Sequence, residues 1–431
     1  MKIKKIIKYP IIFLYTAIIL VMLLIGSAFI PDDMIKDNMR SSADFLCEKI
    51  VFFDLIPEVP ASKIDRYADS ILLNIAYNYD IDDPLRSVMI SEYYYTDYQN
   101  ENDNFRDAVT EGLEPNTQYL RYWHGSALFV RIAHIFTNIR GMYIISTIAA
   151  VALYGVLGFI LIKHRLYAGA IALGVSLITA SVWFVPLSLE YTWVFLVAPA
   201  AAIAAVKLVI SGKWNAVGAV FLISGMVTNF LDFLTAETVT LLFPLLLTIY
   251  TAEKIKPAPT RPKALGTIKL CVLWGVGYVG MWVLKWLTAA VVLGEDVMPY
   301  ISGHITERMV GTSYGAEGAN VFAAIWRNIS CLFPLCFGGV GTIASIVLFV
   351  AAVYVCVVYH RNGFSKANIV IYAAVGAIPL LRFAVLMNHA YIHYFFSYRA
   401  LAGTILAIIL IIFEMIGLGR AKHEARKRKR A

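Results

Sequence analysis

The stretch GMYIISTIAAVALYGVLGFILI, residues 141–162, runs for 22 residues without a charged side chain. A hydrocarbon core about 30 Å thick takes about 20 apolar residues of helix at 1.5 Å each. This run is therefore long enough to cross a bilayer, and Lys163 and Arg165 follow it directly. Nine other runs approach the same requirement: 10–30, 167–186, 191–210, 215–234, 238–252, 268–291, 338–359, 367–387 and 399–418, the sixth in chain order being short. The expected fold class is all-α, a polytopic membrane helix bundle of about ten spans.

Composition agrees. The chain is 59% hydrophobic and 15% charged, against about 45–50% and about 25% in soluble proteins. The net charge of +8 is unevenly laid out: residues 32–121 carry 19 of the 29 acidic side chains but only 8 of the 37 basic ones. Cations spread over the ends of apolar runs read as topology signals and headgroup contacts, and not as a nucleic-acid surface.

The positive-inside rule orders the runs. Lys2, Lys4, Lys5 and Lys8 place the N-terminus in the cytoplasm. Strict alternation then puts Lys163, Arg165, Lys213, Lys254, Lys256, Arg261, Lys263, Arg361 and Lys366 inside, with the C-terminal tail from Lys422 to Arg430. The expected organisation is a first span (1–30), an extracytoplasmic acidic loop with amphipathic surface helices (31–140), a nine-span bundle (141–418) and a basic cytoplasmic tail (419–431), the whole a multi-pass protein of a plasma or inner membrane. A cleaved signal peptide is the other reading of the first run, but its apolar stretch exceeds an ordinary signal core. Cys331 and Cys336 are candidates for a disulfide. The five cysteines match no zinc spacing.

Within the loop, Ser62 reads as an N-cap with Asp65 three residues on, opening a helix whose apolar face is Ile64, Tyr67, Ala68, Ile71, Leu72 and Ile75. A second amphipathic stretch, Phe129 to Ile139, carries Arg131 and His134 and is expected to lie along the membrane surface.

Charge within a bilayer is costly and needs a reason. Glu190, Asp232, Glu237, Lys285, Arg382, His389, His393 and Arg399 stand at the ends of apolar runs that alternation assigns to the loop side. Snorkelling to headgroups is the blander reading for each cation. Asp65 and Asp69, spaced i, i+4, share a helical face and suit a general base, although Asp65 also suits a cap; Asp32 and Asp33 form a lower-ranked pair. In Arg121-Tyr122-Trp123-His124-Gly125, Arg121 can grip a phosphate bidentately, His124 can donate to the same oxygens, and Tyr122 suits a headgroup-level belt or sugar stacking. His389 and His393 have zinc-compatible spacing, but Ala390 stands where a metalloprotease has its Glu, so phosphate binding beside Arg399 is favoured and no metal is expected. No phosphate-binding Gly loop, nucleophile elbow or dinucleotide fingerprint is present.

This layout, a cytoplasmic N-terminus, one span, a large outer loop with a carboxylate-bearing helix and then a multi-span bundle, resembles the GT-C class of membrane glycosyltransferases. The Asp65/Asp69 helix ahead of Arg121–Gly125 carries the likeness. Those segments, with 388–399, also resemble a group of bacterial polytopic membrane proteins that bring no known reaction. The GT-C likeness implies a polyprenyl-phosphate sugar donor, an extracytoplasmic acceptor and no cofactor. Asp69 or Asp65 would deprotonate the acceptor; Arg121, His124, Lys285, Arg382 and Arg399 would hold the lipid phosphate, with His389 and His393 as proton donors. GT-C enzymes usually place the acid soon after the first span, a position that Asp32 or Asp33 matches better than Asp65. Two other functions stay open: a transporter or lipid flippase, which needs polar residues at midplane and paired broken helices, and an exofacial ligand-sensing or envelope-assembly protein with the acidic loop as binding domain.

Overall fold

The computed structural model describes residues 2–294, 296–310, 317–333, 340–360 and 363–417. Helix α1 (Lys2–Ala28) leads into a long connector holding α2 (Asp32–Cys47), the antiparallel strands β1 (Phe52–Asp54) and β2 (Lys63–Asp65), then α3 (Arg66–Tyr77), α4 (Pro84–Ile90), α5 (Glu101–Glu111) and α6 (Ala127–His134). The bundle follows: α7 (Ile139–Lys163), α8 (Tyr167–Thr179), α9 (Leu189–Ile210), α10 (Trp214–Leu231), α11 (Val239–Ile255) and α12 (Thr260–Leu293). A second long connector bears α13 (Met298–Val310) and α14 (Val321–Ser330). After α15 (Val340–Tyr359), the broken rod α16 (Lys366–Gly376) and α17 (Ile378–Val385) is joined through α18 (Met387–Ile392) and α19 (Tyr394–Ser397) to α20 (Leu401–Ile416).

The described parts of all ten apolar runs are mostly helical, and among the described residues eight helical segments are long and apolar enough to cross a membrane. The other two are short. α8 has 13 residues and stops where Ser181 turns to φ +51°, and α11 has 17. Helix α11 is the centre of the bundle, buried at every residue from Val239 to Thr251 and packed by α8, α9, α10, α12, α16 and α20. Its N-terminal end is covered by protein, whereas Lys254 and Ile255 at its C-terminal end are exposed. By contrast α15 is peripheral and presents Ile343, Ile346, Val347, Phe349 and Val350 outward.

The tightest crossing is α10 on α12, and it depends on two glycines. A Cβ on Gly225 would fall 2.1 Å from the Trp274 carbonyl oxygen, and one on Gly277 would fall 2.2 Å from that of Leu222. Small residues that let backbones touch are how helices associate where no hydrophobic effect separates them from lipid.

The first connector differs from its sequence reading in two respects. Ser62 caps nothing. It closes a tight turn by donating to the Val59 carbonyl at 2.8 Å, a short hairpin intervenes, and the helix begins three residues later with Asp65 itself as the cap. Helix α6 is turned inside out: Arg131 and His134 are fully buried, while Phe129, Ile132 and Phe136 face outward. Arg131 is a clamp. It donates to the Ser27 carbonyl at 2.9 Å, the Ala76 carbonyl at 2.5 Å and the Ile30 carbonyl, and meets Asp32 at 3.1 Å, so it ties the end of α1 to α2, α3 and α6. Asp32 is thereby accounted for as an ion-pair partner. The Cys331–Cys336 pairing and the basic tail lie outside the described residues.

The glycine crossing sets a first prediction. Gly225→Ala forces α10 and α12 apart and lowers stability by about 1–3 kcal/mol, read as a lower melting temperature of the detergent-purified protein. Unchanged melting would mean the two backbones are not in contact.

Candidate functional site

The first turn of α9 leaves its amides without intrahelical acceptors, and the residue before it, Ser188, does not cap with its own side chain. The acceptor comes from α3. Asp69 takes the Leu189 and Glu190 amides at 3.1 Å each, the Ser188 hydroxyl at 3.2 Å and the Tyr143 hydroxyl at 2.6 Å. A carboxylate at a helix N-terminus also meets the positive end of its dipole. One turn earlier on the same face, Asp65 caps α3 by accepting from the Ala68 amide at 2.9 Å. Since α3 is pinned to the start of α9, Asp65 comes to rest against Glu190, and the two carboxyls hydrogen-bond. Two carboxyls in contact hold one proton between them.

A second wall is the segment 121–125. Trp123 donates from Nε1 to the Met281 carbonyl at 2.8 Å, and the Gly125 amide donates to Phe230 at 2.9 Å. A Cβ at Gly125 would sit 2.3 Å from the Phe230 ring, so only glycine fits. Between these anchors His124 is held at φ +50°, a left-handed conformation unusual outside glycine. Arg121 stacks over Tyr119 and Tyr122, at 5.1 and 4.8 Å from the ring centroids. The third wall pairs α13 with α18: Arg308 donates from Nη1 to His393 Nε2 at 3.2 Å, and the His393 and His389 ring centroids are 4.8 Å apart.

These walls enclose a cavity of about 530 Å³, within the usual range of small-molecule sites. Asp65, Arg121, Tyr122, His124, His389 and His393, all expected from the sequence, line it together. So do Glu190, Arg308 and an aromatic surround that includes Tyr67, Tyr119, Phe233 and Phe396. Burial raises the Asp65 pKa to about 6, with the hydrogen bonds from Glu190 and the Ala68 and Tyr67 amides pulling the other way. Burial, then neighbouring cations, holds His389 well below the ordinary histidine range and His393 at about 3; His124 is likewise lowered. The three imidazoles are neutral at pH 7. They can donate or accept a hydrogen bond there, and His389 and His393 both line the cavity.

Four expected site residues are placed elsewhere. Asp69 is fully buried, with both oxygens engaged at α9. Lys285 donates to the Met89 and Val88 carbonyls at 2.6 and 3.4 Å, closing the C-terminus of α4. Arg382 pairs with Glu237 at 2.7 Å and donates to the Leu234 and Thr235 carbonyls. Arg399 stacks on Tyr191 and Tyr398 and donates to the Ala61 carbonyl at 3.0 Å. Each is a cation or anion consumed by backbone, tying a connector to a span. Among the described residues no three His, Cys, Asp or Glu side chains converge as they would to hold a metal ion. Of the lining residues not singled out before, Arg308 had the weakest signal: it stands in a connector with no periodic pattern.

The two aspartates therefore separate experimentally. Asp69→Asn turns a donor toward donors and lowers stability by about 3 kcal/mol or more, about 1–3 for each donor left unpaired. Asp65→Asn keeps an oxygen for the Ala68 amide and holds within about 1 kcal/mol. Thermal melts of the two variants in detergent check this, and equal melting would remove the structural role of Asp69.

No family model matches the chain, and no curated protein or solved structure proved similar to it.

Proposed function

We propose that the protein is a membrane glycosyltransferase that moves a sugar from a polyprenyl-phosphate donor to a hydroxyl acceptor on the extracytoplasmic side. The observation that carries this reading is the cavity in which Asp65 and Glu190 share space with Arg121 and Arg308 inside an aromatic ring of walls. Its size suits a sugar phosphate, tyrosine and phenylalanine faces suit the apolar side of a sugar, and guanidinium groups suit a phosphate. The contributing connectors, 29–138, 232–238, the described parts of 294–339 and 386–393, fall at one end of an alternating set of ten helices, if α8 and α11 are counted and α16–α17 taken as one rod. Lys163, Arg165, Lys213 and Lys256 stand at the other end, which the positive-inside rule assigns to the cytoplasm of a plasma or inner membrane.

In this reading the Asp65 carboxylate takes the acceptor's hydroxyl proton as the acceptor oxygen bonds to the anomeric carbon. The bond from that carbon to the phosphate oxygen breaks, and its electron pair leaves with the polyprenyl phosphate. Arg121 and Arg308 hold that phosphate and stabilise the departing charge. Glu190 donates to Asp65 and sets its basicity, while neutral His389 and His393 orient phosphate oxygens or sugar hydroxyls. No cofactor enters the step.

Two outcomes follow for membranes or purified protein given a polyprenyl-phosphate sugar and a glycan acceptor, with release of polyprenyl phosphate as the readout. Asp65→Asn lowers the rate by about 10²–10⁴-fold without loss of folded protein, and Arg308→Ala raises the donor KM; full activity in Asp65→Asn would remove the mechanism. The rate rises with pH through about 6 as Asp65 loses its proton. Glu190→Ala removes the hydrogen bond that favours the carboxylate and moves this limb to higher pH, whereas Glu190→Gln, which can still donate, moves it less. A flat profile between pH 5 and about 8 would exclude a base of this kind.

A further inference from the structure

A second cavity, of about 600 Å³, lies at the opposite end of the bundle. The two ends are set by α9 and α10. Glu190 at the start of α9 and Phe233 beyond α10 line the first cavity, whereas Val209 near the end of α9 and Trp214 at the start of α10 line the second. Its walls carry Lys8, Lys256, Lys263 and Lys269 against a single carboxylate, Glu253. That carboxylate is already taken: Lys263 Nζ is 2.5 Å from Glu253 Oε2 and also donates to Asn368 Oδ1 at 2.5 Å.

Three further lysines, the half-buried Lys8 and the exposed Lys256 and Lys269, thus line the cavity with no carboxylate partner among the described residues. Lys8 and Lys269 stand over one ring, that of Tyr9, with Nζ 5.5 and 5.4 Å from its centroid. Lys8 also donates to the Asn215 carbonyl at 2.8 Å, which fixes its position at the first turn of α10. Thr248, only 5% exposed, lines the same cavity with an Oγ1 that is buried and has no hydrogen-bond partner. Trp214 stands at the rim. Lysines serving only as topology signals extend into bulk headgroups. Here Lys8 and Lys269 stand over one tyrosine, beside a half-open cavity with an orphaned hydroxyl in its wall, and like charges brought together repel unless an anion lies between them.

We propose that this cavity binds a phosphate-bearing anion, held by Lys8, Lys256 and Lys269 with Thr248 donating to a phosphate oxygen. The chemistry fits two sources: the headgroup of an anionic phospholipid in the adjoining leaflet, where lysine pockets between spans take such headgroups, or a soluble phosphate compound from that side of the membrane. Glycosyl transfer at the other end shares no residue with it, so either reading can fail alone.

The test is titration of the full-length protein in detergent, by calorimetry and by native mass spectrometry. The probes are short-chain phosphatidylglycerol, short-chain phosphatidylcholine and inorganic phosphate. Phosphatidylglycerol should bind more tightly than phosphatidylcholine, and Lys8→Gln, Lys256→Gln and Lys269→Gln should each weaken it about fivefold. Thr248→Val, which deletes one hydroxyl and spares the packing, should weaken it as well, so the site remains testable should a lysine variant misfold. Inorganic phosphate binding as tightly as the lipid, with the same variants weakening it, would assign the site to a soluble phosphate compound. Equal binding of both lipids with no binding of inorganic phosphate, or binding of the anion that survives Thr248→Val and all three lysine changes, overturns the proposal.

Discussion

A buried carboxylate that must be satisfied governs the arrangement of this protein. Asp69 has no solvent, and the first amides of α9 have no acceptor of their own; each meets the other's need. The hydroxyls of Tyr143 and Ser188 complete the set, so three transmembrane-length or loop elements converge on one side chain. With α3 fixed at that point, helical spacing leaves little freedom for Asp65, which arrives beside Glu190. The cavity's carboxyl pair is in this sense a by-product of capping a helix across a long stretch of chain.

The same principle sorts the cations. Arg131, Lys285, Arg382 and Arg399 are deeply buried and answer to backbone carbonyls. Removing charge from water is costly unless hydrogen bonds replace the lost hydration, and connectors between helices supply unpaired carbonyls in quantity. These four side chains lace the first connector and the 232–238 and 386–400 segments onto the bundle. Arg121 and Arg308 are different, since they border open space and lean on aromatic rings and imidazole. Both are also only partly buried, unlike the other four. What each guanidinium or ammonium group touches separates structure from site.

Much of this was legible in the sequence. Apolar runs near bilayer length declared the helices, because a stretch such as 141–162 has few alternatives, and ionisable groups gathered at the run ends on one side pointed to a single wet region. Six of the ten expected residues line the cavity. The rest was hidden for identifiable reasons. Asp65 and Asp69 occupy one helical face, and which of them meets the cavity depends on where α9 starts, some 120 residues later. The reach of Lys285 to the end of α4 spans 196 residues. Arg308 lies in a connector whose sequence has neither helical periodicity nor a motif, and the β1–β2 hairpin is three residues per strand, too short to register as alternation.

The walls of the carboxylate cavity come almost entirely from the connectors between the long helices of the bundle and the short helices they carry, while the tight glycine crossing of α10 and α12 lies in the rods. Residues that would choose a ligand are thereby uncoupled from residues that keep the protein folded. A lineage carrying this scaffold could exchange Tyr119, Phe233 or Arg308 and try new partners with the bundle undisturbed, whereas Asp69 and Gly225 leave no such latitude.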